Sequence, residues 1–566
     1  MAIIGIDLGT TNSACAVWQQ GQAVMVPNRL GKFLTPSVVG IDEGGNILVG
    51  ETARERLISH PAMTVAVFKR AMGSQQTFRL GKKSISPIEL SSLVLQSLKE
   101  DAEAFLNEPV QQAVISVPAY FNDLQRKATR QAAQLAGLEV ERLINEPTAA
   151  AMVYGLHEAD DSTSFLILDL GGGTFDVTLV EYFAGVLEVH ASSGDNFLGG
   201  EDFTKALVEH YLRDNGLTLF DLDSRQQQHL YSILNDAKHA LASNQTVAVK
   251  PCLPQQQQDW LLSRDRFEEL IAPLLQRIRY PVEKTLRDSE MKPNDIDEVV
   301  LVGGSTRMLP IRSLVSRMFG RLPAANVDPD LVVAMGTAIQ AGLKEKNSDL
   351  DDVVLTDVCP YSLGTDVINE HDHDGKQGQL FMPIIERNST VPTSIEKMVW
   401  TAADNQTRIL IGVYQGESRL VKNNVYLGEL EAPVPRGPRG KESATIRFSY
   451  DMNGLLEVDV TITSTGQKVS KAIVNAPGQL SEEEIARARA RLSELKFHPR
   501  DSEENRLLIA RAERLYESLL DDEREYISRM ISQFEAVLER QQLNDIRKLR
   551  EQLSERLDMY ESGRYF

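Results

Sequence analysis

The chain has 566 residues, more than one hydrophobic core accommodates, so roughly two to four domains are expected. Its formal charge is -20, from 80 acidic and 60 basic residues, which argues against general nucleic-acid binding, a task that needs a basic face to displace counterions. Three widely spaced cysteines, Cys15, Cys252 and Cys359, form no C-x-x-C, so neither a disulfide framework nor a zinc site is expected, and a reducing cytoplasm fits. No basic leader precedes the first strand and no apolar run reaches membrane length, so neither a signal peptide nor a membrane anchor is expected.

Ile3 to Val17 reads IIGIDLGTTNSACAV: an apolar run, Asp7, a Gly-Thr turn, then a second alternating run. Leu166 to Val180, LILDLGGGTFDVTLV, repeats the arrangement around Asp169. Up to about residue 347 strands alternate with helices. Buried strands ending in turns are expected over Ala113–Phe121 and Glu298–Thr306, and helices over Asp123–Ala136 and Phe267–Leu286. This alternation predicts an α/β class. Each half also carries a later sharp turn (Pro118; Gly303-Gly304) and then a small-residue helix, Asn145–Leu156 or Ala334–Leu343. The order suggests a duplication. Ala and Gly at helical spacing let two backbones approach closely, although ordinary core helices fit the spacing equally well.

NSDLDDVVLTDV, Asn347–Val358, joins two composition regimes and reads as a linker. From Cys359 the pattern turns to β. Leu456, Val458, Val460 and Ile462 alternate, as do Ile446, Phe448 and Tyr450, with a hairpin turn at Asn453-Gly454 between them. An antiparallel sandwich is expected over 359–480. From Ser481 the pattern is helical, opening with a capping box (Ser481, Glu484) and continuing in an apolar stripe at Leu508, Ala512, Leu515 and Leu519.

Neither G-x-x-x-x-G-K-[ST] nor G-x-G-x-x-G occurs. The two Asp-Gly-Thr turns address the same problem differently. Glycines let backbone N–H groups converge on phosphate oxygens, and threonine hydroxyls add donors. Because each turn returns to a strand, a helix dipole is not the main device. Two carboxylates beside a triphosphate would repel it without a divalent cation between them, and Mg²⁺ suits that role. One such turn alone is as easily a solvated β-turn; two matched turns suggest a clamp on one nucleotide.

Taken together, GIDLGTTNS, VPAYFND, NEPTAAA, LDLGGGTFDVT, GGEDF, VLVGGSTRMLPI and DNQT…YQGE resemble the DnaK-type heat-shock chaperones of the seventy-kilodalton class, over essentially the whole chain. The short helical end and divergent linker are most similar to the specialised bacterial HscC branch. The resemblance implies a duplicated actin-like ATPase domain (1–347), a linker (348–358), a β-sandwich peptide-binding domain (359–480) and a truncated helical lid (481–566). It implies ATP/ADP and Mg²⁺ as ligands, with K⁺ as a further candidate. Asp7 and Asp169 would hold Mg²⁺ largely through water, with Asp176 supporting and Glu146 orienting the shell. Thr10, Thr11, Gly171, Gly172, Gly173 and Thr174 would face the phosphates, and Lys69 would position the attacking water. Gly199, Gly200, Lys238, Gly303, Gly304, Ser305 and Arg307 would face the nucleoside end. Pro118, Arg126, Glu146 and Asp357 match the family's relay to the interdomain surface. Thr365, Ile368, Val399, Ala402, Ile409 and Ile411 would line the peptide pocket.

The resemblance also implies a cytoplasmic bacterial monomer that binds extended client polypeptides with a J-domain co-chaperone. It implies no nucleic acid and no membrane as partners. Several departures qualify it. The segment after Gly73 is short. Asn235 and Ala242 replace the usual Glu and Ser, which leaves dependence on a nucleotide exchange factor open. Thr356 replaces an aliphatic linker residue, and Thr365 and Val399 alter the pocket. His371 and His373 lie in a long loop after Ile368; a metal there is far less expected than an exposed polar loop. A sugar kinase or a filament protein on the same nucleotide fold is the alternative, but neither needs the linker and β domain.

Overall fold

The structure is a computed structural model. It describes residues 2–41, 47–155, 163–183, 186–250, 258–324, 327–345, 354–368, 379–452, 454–473, 508, 512, 516, 521–540 and 543–561. Cys252, positions 348–353 of the expected linker, His371, His373, Asn453, Ser481, Glu484, Leu515 and Leu519 lie outside the described residues. The chain divides into two units, Met1–Pro360 and Tyr361–Phe566.

The first unit contains two sheets built to one plan. In the first, β1 (Ile3–Asp7), β2 (Asn12–Gln19), β3 (Gln22–Val26), β4 (Leu34–Pro36), β5 (Gln112–Val117) and β6 (Glu139–Asn145) run in the order β6-β5-β1-β2-β3, with β4 beside β2. The second contains β7 (Thr163–Leu170), β8 (Phe175–Phe183), β9 (Val186–Asp195), β10 (Glu298–Val302) and β11 (Val354–Val358) in the order β10-β7-β8-β9-β11. In each sheet an antiparallel hairpin, β1-β2 or β7-β8, carries the Asp-Gly-Thr turn. The first strand of each hairpin has a parallel neighbour on its other side, β5 or β10. The strands are apolar on both faces because helices cover them, as parallel neighbours require. Both turns therefore leave their sheets at the carboxyl end of a central strand.

The small-residue helices are exchanged between the sheets. Helix Glu146–Gly155 follows β6, yet Ala149–Val153 pack with Phe165, Ile167, Val180 and Leu187 of the second sheet. Helix Val332–Lys344 places Ala334 and Ala338 against Ala14 and Ala16 of β2. A Cβ on Gly336 would stand 1.8 Å from the Ala149 carbonyl oxygen, and one on Gly5 would stand 2.3 Å from the Ala338 nitrogen. Neither position accepts a side chain without displacing backbone, so the small residues serve close backbone approach.

Helix Arg264–Asp288 runs beyond the expected limits at both ends and contains Pro273 and Pro281. The strands within Ala113–Phe121 and Glu298–Thr306 end at the turns expected there: at Val117 before Pro118, and at Val302 before Gly303, which takes φ 83°.

The second unit holds two four-stranded antiparallel sheets. One contains β12 (Leu363–Val367), β13 (Leu380–Ile385), β15 (Arg408–Gln415) and β16 (Val425–Pro433) in the order β13-β12-β15-β16. The other contains β14 (Thr393–Trp400), β17 (Ser443–Tyr450), β18 (Leu456–Ile462) and β19 (Lys468–Ala472) in sequence order. The alternating apolar positions meet across β17 and β18: Ile446 opposes Val460, Phe448 opposes Val458, and Tyr450 opposes Leu456. Helices Asp521–Arg540 and Leu543–Glu561 pack with Leu508 and Ala512 around Phe534, Leu538, Ile546, Leu553 and Leu557.

Candidate functional site

The two Asp-Gly-Thr turns touch. A Cβ on Gly172 would lie 1.9 Å from the Thr11 hydroxyl, and one on Gly173 would lie 2.8 Å from the Thr10 hydroxyl. Only glycine lets the second turn close on the first. Gly171 differs: nothing lies within 4 Å of the position its Cβ would take. This leaves an open cradle beside its backbone. Thr10 and Thr174 are buried and Thr11 is exposed.

Four carboxylates gather behind this cradle. Asp7 ends β1 and accepts a 2.7 Å hydrogen bond from the Ser116 hydroxyl on β5. Asp169 and Asp176 oppose each other across β7 and β8. Asp176 accepts the Tyr120 N–H at 3.0 Å through Oδ1, while its buried Oδ2 has no partner. Glu146, which follows β6 and opens helix Glu146–Gly155, pairs with Lys69 at 2.8 Å. Lys69 is 3% exposed and stands 5.5 Å from the Phe121 ring centroid, so it is a buried ion-pair partner and not a surface cation. Burial first, then the Glu146 charge, pushes Asp7 and Asp176 up to about 7 and holds Asp169 well above the ordinary carboxylate range. Such strain on three buried carboxylates, with one ammonium nearby to offset it, fits a cationic guest. Among the described residues no three His, Cys, Asp or Glu side chains form a direct metal-ligand group. A cation here would therefore depend on phosphate or water for most of its ligands.

The glycine pairs expected at the nucleoside end converge on the second turn. A Cβ on Gly199 would lie 2.5 Å from the Gly172 carbonyl, and one on Gly303 would lie 2.5 Å from the Leu170 carbonyl oxygen. The Ser305 hydroxyl donates to the Gly171 carbonyl at 2.8 Å. Gly200 opens helix Gly200–Asp214, and its N–H donates to the Gly171 carbonyl at 3.0 Å. A helix start thus does abut the phosphate turn, which the strand-turn-strand pattern alone does not suggest. Lys238 donates to the Gly200 carbonyl at 2.9 Å and to the Thr204 hydroxyl at 2.8 Å, and burial lowers its pKa to about 8. Asn235 accepts from that same hydroxyl at 3.2 Å. Arg307 is engaged by Asp328 at 2.6 Å and Asp330 at 2.7 Å, while a Cβ on Gly304 would lie 2.6 Å from Asp330 Oδ1.

The residues expected to form a relay are joined by successive hydrogen bonds. The Pro118 carbonyl accepts the Phe121 N–H at 3.1 Å. Arg126 donates to the Phe121 and Ala119 carbonyls, both at 3.1 Å, and to Asn145 Oδ1 at 2.6 Å. Asn145 Nδ2 donates to both oxygens of Asp357, at 2.9 and 2.8 Å. Asp357 lies on β11, which pairs in parallel with β9: Val354 with Val186, Leu355 with Leu187, Thr356 with Glu188. The hydroxyl of Thr356 reaches the Leu187 carbonyl at 3.5 Å. The path runs from a strand at the end of the first unit to the residue preceding Glu146.

In the second unit Thr365 pairs with Val413 on β15 and shares its face with Ile409 and Ile411; all four are buried. Val399 and Ala402 are half-buried and Ile368 is 58% exposed. Thr365, Ile409 and Ile411 thus belong to one sheet face, and Val399 sits on the other sheet at the register of Ala444.

Sequence reasoning missed Ser116, the Tyr120 amide, Asn145, Arg70 and Asp202. Asn145 opens NEPTAAA, Tyr120 lies in VPAYFND and Asp202 in GGEDF, so these three lay inside quoted motifs, while Arg70 directly follows Lys69. Nothing in residue spacing ties Ser116 to Asp7, which are 109 positions apart.

Among the described residues no helix is long and apolar enough to cross a membrane. The family model for the Hsp70 protein matches residues 3–80 and 75–564. Proteins of that family are chaperones that bind client polypeptides and hydrolyse ATP with Mg²⁺. With both phosphate turns, the buried carboxylates and the β unit all inside the matched residues, the chain belongs to the Hsp70 family.

Proposed function

We propose that Mg·ATP hydrolysis in the first unit controls the grip of the second on extended apolar peptide segments. The observation that carries this reading is the hydrogen-bonded path Asp357–Asn145–Arg126, which adjoins the Glu146–Lys69 pair. A charge change at the cradle bears on Glu146, and Asn145 holds the strand that leads out of the unit. Each nucleotide state must bind one conformation better than the other for such control, and a docking strand supplies that difference.

The chemistry is phosphoryl transfer to water, which rests on positioning and neutralised charge. Asp7 and Asp169, with Asp176 and Glu146 around them, would hold Mg²⁺, which supplies charge neutralisation on the phosphates. The backbone at Gly171–Gly173 and the hydroxyls of Thr10, Thr11 and Thr174 cradle phosphate oxygens. Lys69, poised by Glu146, orients the attacking water and offsets negative charge. The residues 199–200, 238 and 303–307 face the nucleoside. In the β unit an extended peptide would bind by main-chain hydrogen bonds, with Thr365, Ile368, Val399, Ala402, Ile409 and Ile411 shaping a side-chain pocket. The altered pocket and shortened regions support an HscC-like specialist that serves few clients as a cytoplasmic bacterial monomer, working with a J-domain partner. The proposed boundaries remain 1–347, 348–358, 359–480 and 481–566.

The test is release of a fluorescent apolar peptide from the full chain with and without Mg·ATP. ATP should accelerate release, and Asp357→Ala should abolish the acceleration while retaining hydrolysis. Release that ignores ATP in the wild type would remove this reading.

A further inference from the structure

Arg70 joins the Lys69 segment to the second turn and to helix Gly200–Asp214. It lies in the short 3-10 turn Phe68–Ala71, immediately after Lys69. The two cations point to opposite halves of the unit. Lys69 reaches Glu146 at the end of the first sheet. Arg70 donates from Nε to the Gly173 carbonyl at 3.1 Å, and its two terminal nitrogens engage the two carboxylate oxygens of Asp202. Both side chains of that pair are largely buried, 13% and 17% exposed. A fork on a carboxylate is a geometry that arginine provides and lysine does not.

Asp202 is itself committed. It sits in the first turn of helix Gly200–Asp214 and accepts the Gly199 N–H at 2.9 Å. Gly199 in turn backs on Gly172 and Gly173. A Cβ on Gly173 would stand 2.9 Å from Arg70 Nε, so the bare glycine is what admits the guanidinium. On the other side Val67 holds φ 60° just before the turn. That is a costly conformation for a β-branched residue, sustained only where the surroundings over-determine it. Phe68, 1% exposed, anchors the turn in the first core. The segment is strained, anchored and aimed at the second turn.

We propose that Arg70 is a positioning residue whose ion pair with Asp202 latches the Lys69 segment to the second phosphate turn and so sets how fast nucleotide leaves. The inference rests on the nucleotide site described above. Separating the Lys69 segment from Gly173 breaks the Arg70 contacts and leaves the Asp202 carboxylate with the Gly199 amide. Opening is therefore opposed by this pair, and the pair re-forms only when the second turn is back in its hydrolytic position.

The experiment measures dissociation of a fluorescent ADP from the full chain in wild type, Arg70→Ala, Arg70→Lys, Asp202→Asn and the Arg70→Ala/Asp202→Asn double variant, with single-turnover hydrolysis of pre-bound ATP alongside. Arg70→Ala and Asp202→Asn should each speed release by about tenfold or more, as expected for breaking one partner of a largely buried pair. Arg70→Lys should lie between, and the double variant should be no faster than either single. Single-turnover hydrolysis should fall less than release rises. Release unchanged in both single variants, or effects that multiply in the double, would overturn the latch. If Arg70→Ala does not fold, Arg70→Lys and Asp202→Asn carry the same comparison. A wild type that binds no ADP would remove the nucleotide site and the latch together, whereas tight wild-type binding with unaltered variants would remove the latch alone.

Discussion

Asp176→Asn in the nucleotide-free, Mg²⁺-free protein should stabilise it, and more so at higher pH. Asp176 is 1% exposed, with one oxygen on the Tyr120 amide and the other without a partner. Burial and then Glu146 raise its pKa from 3.8 to about 7. Between those values the folded state holds a proton that the unfolded state releases, so stability falls as pH rises through that window. At 1.36 kcal/mol per unit, the loss is about 2 kcal/mol by pH 5 and about 4 kcal/mol by pH 8, where it levels off. Asparagine stands in for the protonated carboxyl, keeps the Oδ1 acceptor and escapes this loss. The variant should therefore melt roughly 5–10 °C above wild type at pH 8 and only a few degrees above it at pH 5. Scanning calorimetry at both pH values, in chelator, reads the difference. Mg·ATP should reverse the order, because the wild-type carboxylate then has its cation. A variant destabilised equally at both pH values would refute the claim that Asp176 is held ionised at a cost.

Lys69→Ala and Thr174→Ala should each slow hydrolysis about a hundredfold or more while leaving ADP affinity largely intact, measured by single-turnover kinetics and fluorescent ADP binding. Normal turnover in both would refute the roles assigned to them. Gly336→Ala should lower the urea midpoint by the equivalent of roughly 1–3 kcal/mol, because the added methyl meets the Ala149 carbonyl backbone; an unchanged midpoint would mean the two helices are free to part.

The duplicated strand-Asp-turn units were legible because their signal is local: an apolar run, then a short set of special residues. The sandwich alternation at Ile446–Tyr450 and Leu456–Ile462 was legible for the same reason. Contacts between distant segments were not. Ser116 under Asp7 and Asp202 under Arg70 are products of topology, since β5 and helix Gly200–Asp214 reach the turns only after the sheets assemble. The burial of Lys69 is not written in a lone basic dipeptide, because it comes from Glu146 and Phe121, which are distant in sequence. Thr356 replaces an aliphatic residue in the linker. The strand containing it is nonetheless paired with β9, because backbone hydrogen bonds there do not depend on which side chain position 356 carries.

The crossing of helix Glu146–Gly155 over helix Val332–Lys344 has a mechanical consequence. Ordinary helix contacts interlock through ridges and grooves, so sliding them requires repacking. Here Gly336 lies on the Ala149 carbonyl, and small residues, Ala150 and Ala151, follow it in the same helix. Such a joint is smooth, and rotation about it disturbs few rotamers. The resistance to motion must then reside in discrete polar fastenings placed far from the axis, where each gains leverage and can be released singly.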